Sequence, residues 1–223
     1  TGTAKEYTLN VIRAIPSGSK FDNLPASERA ALLLTRADAW LIYASANGRE
    51  GKYEQQQSSI KQTINDLKAA GLPAEDSRID AAKQQLKASR QAQIVSALNT
   101  EFVRDEDRLS LATGYAIAAA KDDIEPDASF LAGLLHQSAQ RRNSPADFRA
   151  TQDILQQLTN ANIQVSDINF EEYADAIGVK EQDREAFASQ LRNQLTTAAT
   201  IAEIDKTEPG FARNYIEQQQ AIQ

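Results

Sequence analysis

The chain has 223 residues and a formal net charge of −7, with no Cys, no Met and a single His, His136. These counts exclude disulfide frameworks, thiolate cages and paired-imidazole metal sites, and the negative average field disfavours a phosphate-backbone partner. At this length folding removes about 70% of the unfolded chain's surface from water, so a core of Ala, Leu and Ile needs no staple.

The first predicted element is extended. Tyr7, Leu9 and Val11 alternate with polar residues, the pattern of a short strand, and a strand without a partner becomes an arm packed on its neighbours. We therefore expect an extended N-terminal arm over 1–22, interrupted by Pro16-Ser17-Gly18-Ser19. A helical domain over 23–223 should follow, with a subdivision near 143–145. Asn23 is a capping residue, Pro25 suits a first helical turn, and Glu28 favours the positive end of the dipole. From Leu32 to Tyr43 the apolar residues cover more than one stripe, which predicts a central helix with Leu41 in the core beside Trp40. Asn47-Gly48 should end or interrupt it.

A second helix, Lys52 to Ala70, keeps Tyr53, Ile60, Ile64 and Leu67 on one face and stops at Gly71-Leu72-Pro73. Gly51 and Tyr53 ahead of a Gln-rich helix are similar to a tetratricopeptide turn. The later signature positions are missing, and no second copy follows at the period of roughly 34 residues. Ile79, Ala82, Leu86, Ile94, Leu98 and Phe102 then keep near-heptad spacing. The pattern runs on through a charged stretch at Glu101 to Arg108 into Leu109, Tyr115 and Ile117, as one helix or two. Asp122-Asp123 to Pro126 closes this region.

Asp127 to Arg142 forms the next predicted helix. Ser144-Pro145-Ala146-Asp147 is a strong start signal, with a capping Ser, Pro in the first turn and an acid three residues after the Ser. A short extended piece, Ile163 to Val165, precedes helices from about Phe170 to Ile177 and Lys180 to Asp205. A terminal helix from Phe211 to Ile222 completes the chain. The fold class expected is all-α, a multi-helix bundle of mostly antiparallel helices joined by short loops.

Catalytic signals are sparse. Asp167-Ile-Asn-Phe-Glu-Glu172 resembles the second half of a calcium-binding EF-hand loop. Aligning Glu172 to its last position puts Ala161, Ile163 and Val165 where oxygen ligands belong, so a helix N-terminus capped by Ser166, Asp167 or Asn169 is the better reading. His136 has no second imidazole, no Cys and no nucleophile elbow, and reads as a boundary histidine near a helix C-terminus. The carboxylate clusters, such as Asp105-Glu106-Asp107 and Glu171-Glu172, read as solvated charge, and no Gly-rich phosphate loop is present. No catalytic, cofactor-binding or metal residue is assigned.

The function expected is non-enzymatic: binding of another protein, or self-association, with no nucleic acid and no transmembrane segment. The alternative is a helical sensor or small-molecule-binding domain with an inter-helix pocket. Trp40, Tyr43, Tyr53 and Tyr115 are the aromatic residues expected at a pocket or interface. The chain starts Thr1-Gly2-Thr3-Ala4 without Met, which suits a processed mature form or a fragment. Together with the lack of Cys, this favours a periplasmic or secreted, envelope-associated role. A lipoprotein-like ectodomain or a virion or assembly component fits, with membrane attachment only through a lipid anchor upstream of Thr1. A cytoplasmic location stays open.

Overall fold

The computed structural model describes residues 2–101, 103–121 and 128–221, apart from the side chains at 105, 106, 128 and 129. The sequence expectations at Phe102, Asp122-Asp123, Pro126, Asp127 and Ile222 lie outside the described residues. Within them the secondary structure is eleven α-helices and one 3₁₀ turn, with no strand, so the protein is all-α. No helix is long and apolar enough to cross a membrane among the described residues. The chain divides into two compact units, Thr1–Gln93 and Ile94–Gln223, and the boundary falls inside a helix. The 143–145 segment is a short connection within the second unit.

The first unit opens with α1 (Gly2–Ala14) and the single turn α2 (Ser19–Asp22). The expected extended arm is therefore a helix. Tyr7, Leu9 and Val11 alternate, but Lys5, Thr8, Leu9 and Ile12 also repeat at helical spacing, and this second pattern covers the inner face. Thr8 is buried and its hydroxyl donates back to the Ala4 carbonyl at 3.0 Å. With no strand partner available, internal hydrogen bonds satisfy the backbone. Lys5 donates to Glu50 at 2.6 Å and lies 5.9 Å from the Tyr43 ring centre, fixing α1 beside α3 (Ala26–Arg49).

Helix α3 buries small side chains, Ala37, Ala39, Ala44 and Ala46, with Leu33. Leu41 is only half-buried and Ile42 is 50% exposed, so the core face is the Ala-rich one and not the bulky run. Small residues let α4 (Tyr53–Ala69) approach closely enough for Thr63 Oγ1 to donate to the Ala37 carbonyl at 3.2 Å. Arg36 grips Asp66 with two bonds of 2.8 and 2.7 Å. These pairs and the Gly48–Gln56 approach run in opposite chain directions, so the two helices are antiparallel. Helix α3 continues through Gly48 and ends before Gly51, whose φ of 70° turns the chain. At Gly48 a Cβ would lie 2.7 Å from Gln56 Cδ, near the end of that flexible side chain, so the Gln56 side chain and not the backbone would have to shift. The cap at Gly71 forms as its sequence implies, with φ 93° and Leu72 N–H bonded to the Leu67 carbonyl at 3.2 Å. Helix α5 (Ser77–Leu98) contributes Ile79, Ala82 and Leu86 to the core, and Ser89 Oγ donates to Gln56 Oε1 at 2.7 Å.

The near-heptad stretch from Ile79 is thus two helices, α5 and α6 (Asp105–Ala120), and the charged run opens the second of them. In the second unit α6 packs with α7 (Ala128–Gln140) and α8 (Pro145–Asn160). Helix α8 begins with the full capping box read from the sequence: Asp147 N–H donates to Ser144 Oγ, and Asp147 accepts from the Ser144 N–H at 2.9 Å. A buried hydroxyl pair, Ser138 and Thr151 at 2.7 Å, joins α7 to α8. A 3₁₀ turn, Val165–Asp167, takes only the last residue of the expected extended piece, and Gln164 before it keeps an extended backbone. Helices α9 (Phe170–Ala176), α10 (Glu181–Thr207) and α11 (Phe211–Ala221) follow. The main core joins Leu109, Leu135, Ile154, Leu158, Phe170 and Leu195. A smaller one holds Phe148, Ile201, Ala212 and Ile216, with Tyr215 edge-on to Phe148 at 6.0 Å.

Candidate functional site

Among the described residues, one site-like feature is an apolar groove in the second unit, formed where α7, α9 and the end of α5 converge. Its floor is Ile94 and Leu134, each 2% exposed. Leu98, Phe130, Gly133 and Tyr173 complete the walls, and Gln137, Ala176 and Ile177 stand at the exposed rim. The volume is about 270 Å³. No charged side chain is among these lining residues.

The sequence builds this groove locally. In α7 a small residue, Gly133, sits within the run Phe130-Leu-Ala-Gly-Leu-Leu135, and a Cβ there would lie 3.5 Å from Tyr173 Cε2. Glycine therefore leaves the Tyr173 ring edge facing bare backbone. Helix α9 is held short at both ends. Asn169 Oδ1 accepts from the Glu172 N–H at 3.0 Å, and Gly178, with φ 85°, stops the helix one residue after Ile177. Ile177 is left 48% exposed, which is high for a large aliphatic side chain adjoining an apolar recess.

His136 stands behind the groove and braces it. Its Nδ1 lies 3.0 Å from Tyr173 Oη, and Gln140 Nε2 lies 3.0 Å from its Nε2. With the amide donating to Nε2, the ring proton sits on Nδ1 and is donated to the phenol oxygen. Phe187 of α10 meets the imidazole edge-on at 5.3 Å, so one ring ties three helices together. Desolvation pushes the His136 pKa below its ordinary value and the Tyr173 pKa above its own, so both groups stay neutral around pH 7. Neither ring nitrogen faces a carboxylate in these bonds, and both are engaged, an arrangement that supports structure and lacks the orienting acid of a general base.

The EF-hand-like segment forms caps. Asp167 accepts from the Gln164 N–H at 3.2 Å and Asn169 caps α9, so their oxygens face backbone donors. Among the described residues no group of three or more His, Asp or Glu side chains is placed to hold a metal ion.

The four aromatic residues singled out from the sequence separate. Trp40 and Tyr43 meet edge-on at 6.1 Å on α3, and Tyr53 opens α4, all in the first unit. Tyr115 belongs to the second unit, where it packs on the main core and lines a broader recess of about 600 Å³ with Asp107, Ser110, Leu111, Gly114 and Gln157. There Gln157 Nε2 donates to Ser110 Oγ at 2.7 Å. The groove residues Gly133, Tyr173 and Ile177 escaped the sequence reading. The signal was present as a Gly inside a strongly apolar helix and an aliphatic residue directly before a helix-ending Gly. No family model matches the chain, and neither the curated proteins nor the solved structures yield a match to it.

Proposed function

We propose that the chain is a non-enzymatic binding protein that engages another protein through the α7–α9 groove. The observation that carries this reading is the uncharged groove with a half-exposed Ile177 at its rim. A recess of this kind receives a bulky apolar side chain from a partner and excludes water around it. A cavity of about 150 Å³ accepts benzene, so this volume suits a large aromatic residue or two aliphatic ones. It is at the small end for a free ligand. The braced, neutral His136–Tyr173 pair supports a preformed wall and a non-catalytic role. The location we propose is periplasmic or secreted: a chain with no Cys has no thiol to oxidise there, a property that cytoplasmic chains also share.

The test is retention of a partner by the immobilised chain from an extract of its source organism. Ile177→Asp and Ala176→Phe, one charging the rim and one filling the groove, should abolish retention, while Leu111→Asp, at the other recess, should not. Retention unchanged by both groove variants would overturn the reading. The recess at Tyr115 favours a second reading, small-molecule binding, because Asp107, Ser110 and Gln157 offer polar groups beside an aromatic ring. Gln157→Leu would weaken such a ligand and leave protein retention intact.

A further inference from the structure

We infer that the partner segment is a basic amphipathic helix, with an apolar stripe for the groove and Lys or Arg along one flank. This rests on the groove being the protein-binding site, and adds the chemistry of what enters it. Charge complementarity at the groove's α9 edge identifies it. Between Phe170 and Glu185 the chain carries six carboxylates, Glu171, Glu172, Asp175, Glu181, Asp183 and Glu185, against only Lys180 and Arg184. All six are exposed. Arg184 is committed to this segment, since it pairs with Asp175 and donates through Nε to the Val179 carbonyl at 3.1 Å.

The three acids of α9, Glu171, Glu172 and Asp175, interleave with the groove wall. Glu172 directly precedes Tyr173 and lies one helical turn before Ala176, both of which line the recess. The remaining walls are electrically blank: α7 contains no charged residue, and neither does the stretch from Ile94 to Leu98. Negative charge therefore lies along the α9 side, and α7 and the Ile94–Leu98 stretch add none of their own. A segment lying in the groove must present apolar anchors to the floor. Its flank beside α9 gains from cations and is penalised for anions, while its other flank is unconstrained. A second copy of this chain fits poorly, because at −7 each the two would repel on average.

The experiment uses the full chain and three fluorescein-labelled amphipathic peptides, read by anisotropy. One has a Trp-and-Leu anchor stripe with a Lys flank, the second the same stripe with a Glu flank, and the third the Lys flank with its anchors changed to Ser. The Lys-flanked peptide should bind about tenfold or more tighter than the Glu-flanked one at low salt, with the gap closing as screening shortens the range of the charges. The anchorless peptide should bind at least about tenfold more weakly than its parent. Glu171→Gln with Glu172→Gln should remove most of the preference for Lys while lowering the melting temperature by no more than about 4 °C, the size expected for two first-turn acids. Equal binding of the Lys- and Glu-flanked peptides, with anchors still required, would overturn this inference and leave the groove reading standing. Equal binding with and without anchors, or none at all, would overturn both.

Discussion

Gly48→Ala offers a test in which local propensity and packing oppose each other. Inside α3, Ala is favoured over Gly by about 1 kcal/mol. The added Cβ, however, would lie 2.7 Å from Gln56 Cδ, so the Gln56 side chain must leave its place. In doing so it abandons the bond from Ser89 Oγ, 2.7 Å long. Ser89 is 4% exposed, and an unmet buried hydroxyl costs about 2 kcal/mol. The net expectation is destabilisation by about 1 kcal/mol. In a Gln56→Ala background the obstacle is gone, and Gly48→Ala should then stabilise by about 1 kcal/mol, a coupling of about 2 kcal/mol. Trp40, the sole Trp, lies in the first unit, so its fluorescence during urea unfolding reports on that unit. If Gly48→Ala stabilises the parent chain, or the coupling falls below about 0.5 kcal/mol, the close approach of α3 and α4 is wrong as described.

Three further outcomes follow from the packing and the charges. Phe148 is 1% exposed in the smaller core, so Phe148→Ala should cost about 3–5 kcal/mol in a denaturant titration followed by circular dichroism. Arg36→Ala strips the Asp66 carboxylate, 5% exposed, of its paired guanidinium and should cost about 3 kcal/mol. Arg36→Lys should recover only part of this, because it cannot reproduce the two-pronged bond. Glu50, bonded by Lys5 and Lys52, has its pKa lowered from 4.5 to about 2. Its contribution is therefore complete above pH 4.5 and is lost as pH falls through about 2, so protection of α1 amides, corrected for the intrinsic pH dependence of exchange, should fall across that window, and Glu50→Gln should flatten the dependence.

The parts of the fold legible in the sequence are those set by local chemistry. Ser144-Pro145-Ala146-Asp147 and Gly71-Leu72-Pro73 form their caps because short-range hydrogen bonds decide such boundaries. Helix α1 was obscured because two periodicities coexist in one stretch, and its surroundings select the helical one. The bulky apolar run around Leu41 predicts a core position that Leu41, only half-buried, does not occupy. In α3 it is the small residues that face inward, where Thr63 reaches the Ala37 carbonyl. The groove was hidden for a different reason. Ile94, Gly133 and Tyr173 are far apart in the chain and become one surface only after α7 and α9 pack, and no periodicity within one element encodes that meeting.

If the α7–α9 groove binds a partner segment, hydrogen–deuterium exchange with the Lys-flanked anchor peptide should register the contact there. Exchange should slow in fragments spanning α9 and α7 on peptide addition, an effect lost in Ala176→Phe. Protection confined to other fragments, or retained in full in Ala176→Phe, would contradict it.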